Sequence, residues 1–224
     1  MKNHEKGSRR DKELLRLVGE QSALNTEQLR LLLFSDVNQS MAYRRLSRLV
    51  ERKYLKRDRF SVNEPYFYYT DRKPGQPDHV LGVSWIYTWI RLKLHSWEKL
   101  HSFEREQNYK ILRPDAFIAV KNVWENKLSF SFAEFDVAES GNKFDKVEKY
   151  NSLYSSEGYL GAWWVPLATR FPPVIIVTTG SIKRIQERID ADNSSNLDFR
   201  PYTLDWIKEE CFNGRSGSKG LRTV

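Results

Sequence analysis

LSFSFAEFDVA, residues 128–138, holds an oddity for a strand. Its first half alternates apolar and small polar residues, as a strand with one buried face does. Then two acids arrive, Glu134 and Asp136, one residue apart. Side chains alternate along a strand, so these two share a face and Phe135 takes the other. Acids are disfavoured on strands and costly to bury, so a strand that carries two of them needs a use for them. Upstream, RPDAFIAV puts Asp115 at the start of what reads as the neighbouring strand. The three carboxylates are expected to meet near one edge of a sheet.

Working outward, HSFEREQ (101–107) alternates weakly and predicts a strand before these two. NKFDKVEKYNSLYSSE predicts a helix with Phe144, Val147, Tyr150 and Leu153 or Tyr154 on one face. PVIIVTT (173–179) is a short apolar run, as a buried central strand should be. SIKRIQERIDA predicts a helix capped at Ser181, and FRPYTLDW (199–206) a last edge strand. HVLGVSWIYTWIRLKLHSW opens this part with an unusually apolar helix over 79–95, which is a candidate homodimer surface. The order is α-β-β-β-α-β, then α-β, which implies a mixed α/β sheet over residues 79–212. NGRSGSKGLRTV, with 213–224, predicts a flexible tail.

The other end of the chain differs in charge. The 224 residues carry a formal net charge of +8. Residues 1–60 hold 15 Lys+Arg and 8 Asp+Glu, or +7; residues 61–224 hold the remaining 22 and 21, or +1. That asymmetry points to a polyanion partner for the first part, against the plainer reading of a solvated basic surface. A single cysteine, Cys211, excludes a disulfide framework and a cysteine zinc site. MKNHEKGSRR has no apolar core, so no signal peptide is expected there, and no run is long enough to span a membrane. The expected location is the cytoplasm.

Within residues 1–70, DKELLRLVGEQ predicts a first helix with Leu14, Leu15, Leu17 and Val18 inward. NTEQLRLLLF predicts a second, capped at Asn25 or Thr26, and NQSMAYRRLSRLVERKYL a third, capped at Asn38. YLKRDRF and YFYYT then read as a hairpin turned by SVNEP, and DRKPGQPD (71–78) as a linker. Helix, helix, basic helix and hairpin is the order of a winged helix-turn-helix, whose third helix enters the major groove of duplex DNA. Ala42, Leu46, Leu49 and Val50 make its inner face. Gln39, Ser40, Tyr43, Arg44, Ser47 and Arg48 face outward as candidate DNA contacts, with Arg45 and Arg52 at the margins. Arg44 and Arg48 lie one turn apart and suit guanine edges or phosphates. Lys56, Arg57 and Arg59 on the hairpin suit phosphate, which gives affinity without sequence information.

For the acids several readings stand. Asp115, Glu134 and Asp136 could hold Mg²⁺ or Mn²⁺, which prefers carboxylate oxygens and can activate water against a phosphodiester. Lys143 or Lys146 would then stabilise developing charge. Alternatively the acids pair with Lys143, Lys146 or Arg113 in a structural ion network, guard an edge strand against aggregation, or face a protein partner. If the acids are structural, no cofactor is needed. His79, His95 and His101 have no metal-ligand spacing with them. Trp163 and Trp164, in a proline-bounded connection, read as core, with base stacking as the alternative.

In combination, RRLSRLVERKYLKR, PYFYYT, HVLGV, LRPDAFIAV and FAEFDVAES leading into KFDKVEKY resemble the replication-relaxation family of plasmid, conjugative-element and phage proteins, over residues 11–180. That resemblance implies a DNA-binding accessory role in replication or relaxation at a transfer origin, with replication or relaxase proteins as partners. Residues 79–212 also resemble the restriction-endonuclease-like core, whose nucleases carry an Asp on one strand and Glu/Asp-x-Lys on the next. Asp115 and Glu134 match, but Asp136 stands at the lysine position, and the helix over 79–95 has no acid. The resemblance therefore implies the fold without the activity, unless Lys146 replaces the missing lysine. The expected protein is α+β: a winged helix-turn-helix, then a mixed α/β domain of αβββαβ order. Its expected function is sequence-specific double-stranded DNA binding in replication, transfer or regulation of a mobile element. The alternatives are a metal-dependent nuclease built on Asp115, Glu134, Asp136 and Lys146, and a transcriptional regulator with a ligand- or protein-binding C-terminal domain.

Overall fold

A computed structural model of the protein describes residues 3–138 and 144–213. The expected tail from 214 onward and Lys143 lie outside the described residues. The fold is α+β, with two sheets and two compact units, Met1–Thr88 and Trp89–Val224. No described helix is long and apolar enough to cross a membrane.

In the first unit, α1 (Asn3–Gln21), α2 (Thr26–Leu33) and α3 (Gln39–Glu51) are the three helices expected, though α1 begins earlier than its periodicity implied. Leu14, Leu17 and Val18 of α1 are buried, while Leu15 is only half-buried. Asn25 caps α2 in a full capping box: its side chain accepts from the Gln28 N–H, and Gln28 accepts from the Asn25 N–H. Asn38 caps α3 by accepting from the Ser40 N–H at 3.0 Å. Ala42, Leu46 and Leu49 then fall on the buried side of α3, as helical spacing requires. The hairpin forms from β2 (Lys56–Asp58) and β3 (Phe67–Tyr69), both shorter than the apolar runs suggested. A two-residue strand, β1 (Leu24–Asn25), was not legible in the sequence. It pairs with the other side of β3, giving the order β1-β3-β2.

The boundary between units is Thr88, not the 71–78 loop. Residues 71–76 do connect β3 to α4 (Pro77–Lys93), but the first turns of α4 belong to the first unit. Leu81 packs with Ala23 and Phe67. The Leu81 carbonyl accepts from Gln28 Nε2 at 3.0 Å, and Ser84 Oγ donates to the Ala23 carbonyl at 2.9 Å. The Pro/Gly-rich composition marks a surface loop within a unit, and burial of Leu81 and Ser84 moves the division inside a helix.

The second unit is a five-stranded mixed sheet in the order β4-β5-β6-β7-β8. β4 (Glu98–Arg105), β5 (Ala116–Asn122) and β6 (Lys127–Asp136) run antiparallel; β7 (Val174–Thr178) and β8 (Phe199–Thr203) join parallel. α5 (Lys146–Ser155) and α6 (Ile182–Asp192) supply the crossovers. Phe117, Ala119, Phe132, Val174 and Ile176 form one core with Val147, Tyr150 and Leu153 of α5 and Ile185 and Ile189 of α6. β8 is an edge strand as expected, but Leu204–Asn213 continues into an unforeseen helix, α7. Ile207 and Cys211 are buried on it, so LDW belongs to α7 and not to the strand. β6 is the middle strand, so the reading of Glu134 and Asp136 as guards of a sheet edge is corrected.

Candidate functional site

The β5–β6 ladder ends at the pair Ala116↔Ala133, and Asp115 stands just beyond it. Its Oδ2 accepts the Phe135 N–H at 2.7 Å, so a side chain continues the ladder where the backbone stops. One residue back, Glu134 is fully buried. Tyr150 of α5 donates its hydroxyl to Glu134 Oε1 at 2.8 Å, and Lys146 Nζ pairs with Oε2. The same Nζ lies 3.0 Å from Asp115 Oδ1. Lys146 and Tyr150 are four residues apart and present one helical face to β6.

Burial raises Glu134, Asp115 raises it further, and Lys146 pulls the other way; the net effect pushes its carboxyl up to about 8. Lys146 is lowered by burial, but Glu134 and Asp115 outweigh that and hold its ammonium above the ordinary lysine range. Tyr150 lies well above the ordinary phenol value, chiefly through burial. The cluster therefore keeps the Lys146 ammonium charged while the buried Glu134 favours its proton.

Asp136 departs from this group. It is buried, accepts from Thr178 Oγ1 at 2.7 Å, and pairs with Arg184 of α6. Gly180 lies in the turn between β7 and α6, where an added Cβ would come within 2.6 Å of the Ala138 Cβ. Arg113 pairs with Glu106 and not with the β6 acids. The three carboxylates expected to meet therefore divide, with Asp115 and Glu134 together and Asp136 apart. An ammonium sits between Asp115 and Glu134, and a guanidinium takes Asp136. Among the described residues, no group of three or more His, Cys, Asp or Glu side chains converges as metal ligands. Lys146 does reach both acids, as the substituted-lysine reading required. Tyr150 was legible only as a core position, and Thr178 and Arg184 gave no signal at all.

On the other face of the sheet, Ile118, Val120, Ser129, Ser131 and Ile175 line a groove of about 810 Å³, bordered by Arg170 and Arg200. The Trp163–Trp164 pair divides. Trp164 is core, donating Nε1 to the Tyr109 hydroxyl at 3.1 Å; Trp163 stays 40% exposed against Phe117 and Phe130.

In the first unit, Gln39, Ser40, Tyr43, Arg44 and Arg48 are exposed on α3, and Ser47 is half-buried. Arg44 and Arg48 form no ion pair with any described residue. Gln39 Nε2 donates to the Tyr43 hydroxyl at 3.0 Å, and Ser40 Oγ turns back to Asn38 Oδ1 at 3.3 Å. Arg45 is held by Asp11 of α1, which explains its place at the margin. On β2, the Arg57 guanidinium lies 4.4 Å over the Tyr66 ring; that of Arg59, just past the strand, lies 5.0 Å from the same ring. Lys73 neutralises Asp58 at 2.5 Å, and Lys56 donates to the Asp71 carbonyl. Burial raises the Tyr68 hydroxyl, against Thr26 and Arg57, which pull it down. The Tyr66 platform was not legible in the sequence.

No family model matches the chain, and no match is found among curated proteins or solved structures, so both sites are read from their own geometry.

Proposed function

We propose that the first unit is a winged helix-turn-helix that reads double-stranded DNA in a sequence-specific manner. The observation that carries this reading is the outer face of α3, on which Arg44 and Arg48 are exposed and, among the described residues, without ion pairs. A guanidinium with no internal partner loses nothing on binding and can make a bidentate pair with guanine. Gln39, Tyr43 and Ser47 add shorter contacts to bases or backbone. Arg57 and Arg59, splayed over Tyr66, and Lys56 meet phosphate.

The second unit serves as an assembly platform for partner proteins. Its acid–lysine cluster clamps α5 to the central strand and does no chemistry. The resemblance to the replication-relaxation family supports a cytoplasmic setting in replication, transfer or regulation of a mobile element, with replication or relaxase proteins or a second copy as partners. The groove of about 810 Å³ favours, as a second reading, a regulator whose C-terminal unit takes a ligand or a peptide.

The test is selection of bound duplexes from a random library at near-physiological salt, with the full chain. An enriched motif is expected, and its place in the host element separates an origin from a promoter. Binding without enrichment removes sequence readout, and no binding at all overturns the reading. Metal-dependent cutting that disappears in Glu134→Ala would overturn the structural role of the cluster.

A further inference from the structure

Three rings form a ladder at one end of the mixed sheet. The His95 and Trp97 rings stack nearly parallel, with centroids 4.5 Å apart and planes inclined by 5°. Trp97 stacks in turn on Trp124, at 4.9 Å and 27°. Trp124 ends the ladder at the tip of the β5–β6 hairpin and is 75% exposed.

The tip is held in place. Asn122 Oδ1 accepts from the N–H groups of both Trp124 and Glu125, at 3.0 and 3.1 Å. The Val123 N–H donates to the Trp97 carbonyl at 2.8 Å, which locks the tip to the strand that carries the inner ring. The ladder is therefore a preorganised flat surface with one open end.

Its surroundings are positive. The register places Lys99 directly opposite Lys121, and neither pairs with an acid among the described residues. Like charges facing across strands destabilise a sheet unless an anion is brought to them. The nearby acids are already engaged: Glu98 accepts from the His95 N–H at 3.0 Å, and Glu125 pairs with Lys127 at 3.3 Å. A ring that stacks beside two uncompensated ammonium groups matches a flat base joined to a phosphate backbone.

We propose that this ladder is a second nucleic-acid site, which takes single-stranded DNA by stacking an unpaired base on Trp124, with Lys99 and Lys121 on the adjoining phosphates. A duplex offers no such base, because its faces are already stacked. The site is thus distinct from the α3 surface in both position and ligand. One chain would hold duplex through the first unit and an unwound strand through the second.

The experiment uses the full chain and a labelled oligothymidylate, with Trp124→Ala and Trp124→Phe compared by anisotropy at near-physiological salt. Trp124→Ala is expected to weaken single-strand binding about tenfold, within the range for one base on one aromatic ring. Trp124→Phe retains most of it, and Lys99→Ala/Lys121→Ala lowers the salt dependence. Duplex binding stays unchanged in all three, so this site and the α3 surface can fail independently. Unchanged single-strand binding in Trp124→Ala would overturn the proposal. So would Trp124-dependent binding to phosphatidylserine vesicles with none to the oligonucleotide, since the ladder would then be a membrane contact.

Discussion

The Tyr150 hydroxyl donates to Glu134 Oε1 at 2.8 Å, and neither residue exposes any surface to solvent. With Lys146 on the other oxygen, α5 satisfies both sides of a carboxyl buried on the central strand. Removing Lys146 alone strips the charge partner from Asp115 and Glu134 together. Lys146→Met should destabilise the protein by about 2–4 kcal/mol, most at alkaline pH, where Glu134 gives up its proton. Glu134→Gln/Lys146→Met should cost less than Lys146→Met alone. Urea unfolding of the full double-mutant cycle measures the coupling.

The raised carboxyl of Glu134 makes stability depend on pH. Its folded value is about 8, against an ordinary value of 4.5. Between these the folded protein holds a proton that the unfolded chain has released. Stability should therefore fall as pH rises across that window, with a slope approaching about 1.4 kcal/mol per pH unit. Lys146 is a raised base, whose contribution is also lost as pH rises, but only above the ordinary lysine range. It therefore leaves the Glu134 window undisturbed. Glu134→Gln should flatten the slope. An unchanged slope in that variant would assign it to another group.

Asp136 and Arg184 join β6 to α6. Arg184→Ala leaves the buried Asp136 with Thr178 as its remaining side-chain donor among the described residues, at a cost of about 1–3 kcal/mol. Hydrogen exchange should show weakened protection first along Ile182–Asp192, the helix that Arg184 anchors.

Arg44→Ala and Arg48→Ala should each weaken binding to the selected duplex by about 1–3 kcal/mol where the arginine pairs with a guanine, and relax the preference at that base. Competition binding across single-base variants of the site reads this out. Equal weakening on every sequence would move the arginine to the phosphate-binding set.

Lys56→Ala and Arg57→Ala should weaken all duplexes alike, and each should reduce the slope of log affinity against log salt by about one. Tyr66→Leu should act in the same direction, because it removes the ring under Arg57 and Arg59. Titrations at several salt concentrations measure both effects.

Much of the local structure is legible in the spacing of residues along the chain. Helical spacing identified the buried side of α3, and asparagine caps located the starts of α2 and α3. Alternation in LSFSFAEFDVA put Glu134 and Asp136 on one face, and the crossover order implied the mixed sheet. These features depend on neighbours a few residues apart, whose geometry is set by backbone periodicity. The tertiary structure alone decided what the acids do. Lys146 and Tyr150 reach Glu134 only because α5 docks on β6, and Arg184 reaches Asp136 only because α6 docks beside it. It also drew the first turns of α4 into the first unit, through Leu81 and Ser84, and converted the end of FRPYTLDW into α7. Partner choice among buried charges is settled by distance and desolvation in three dimensions, and neither is written in the spacing of residues along the chain.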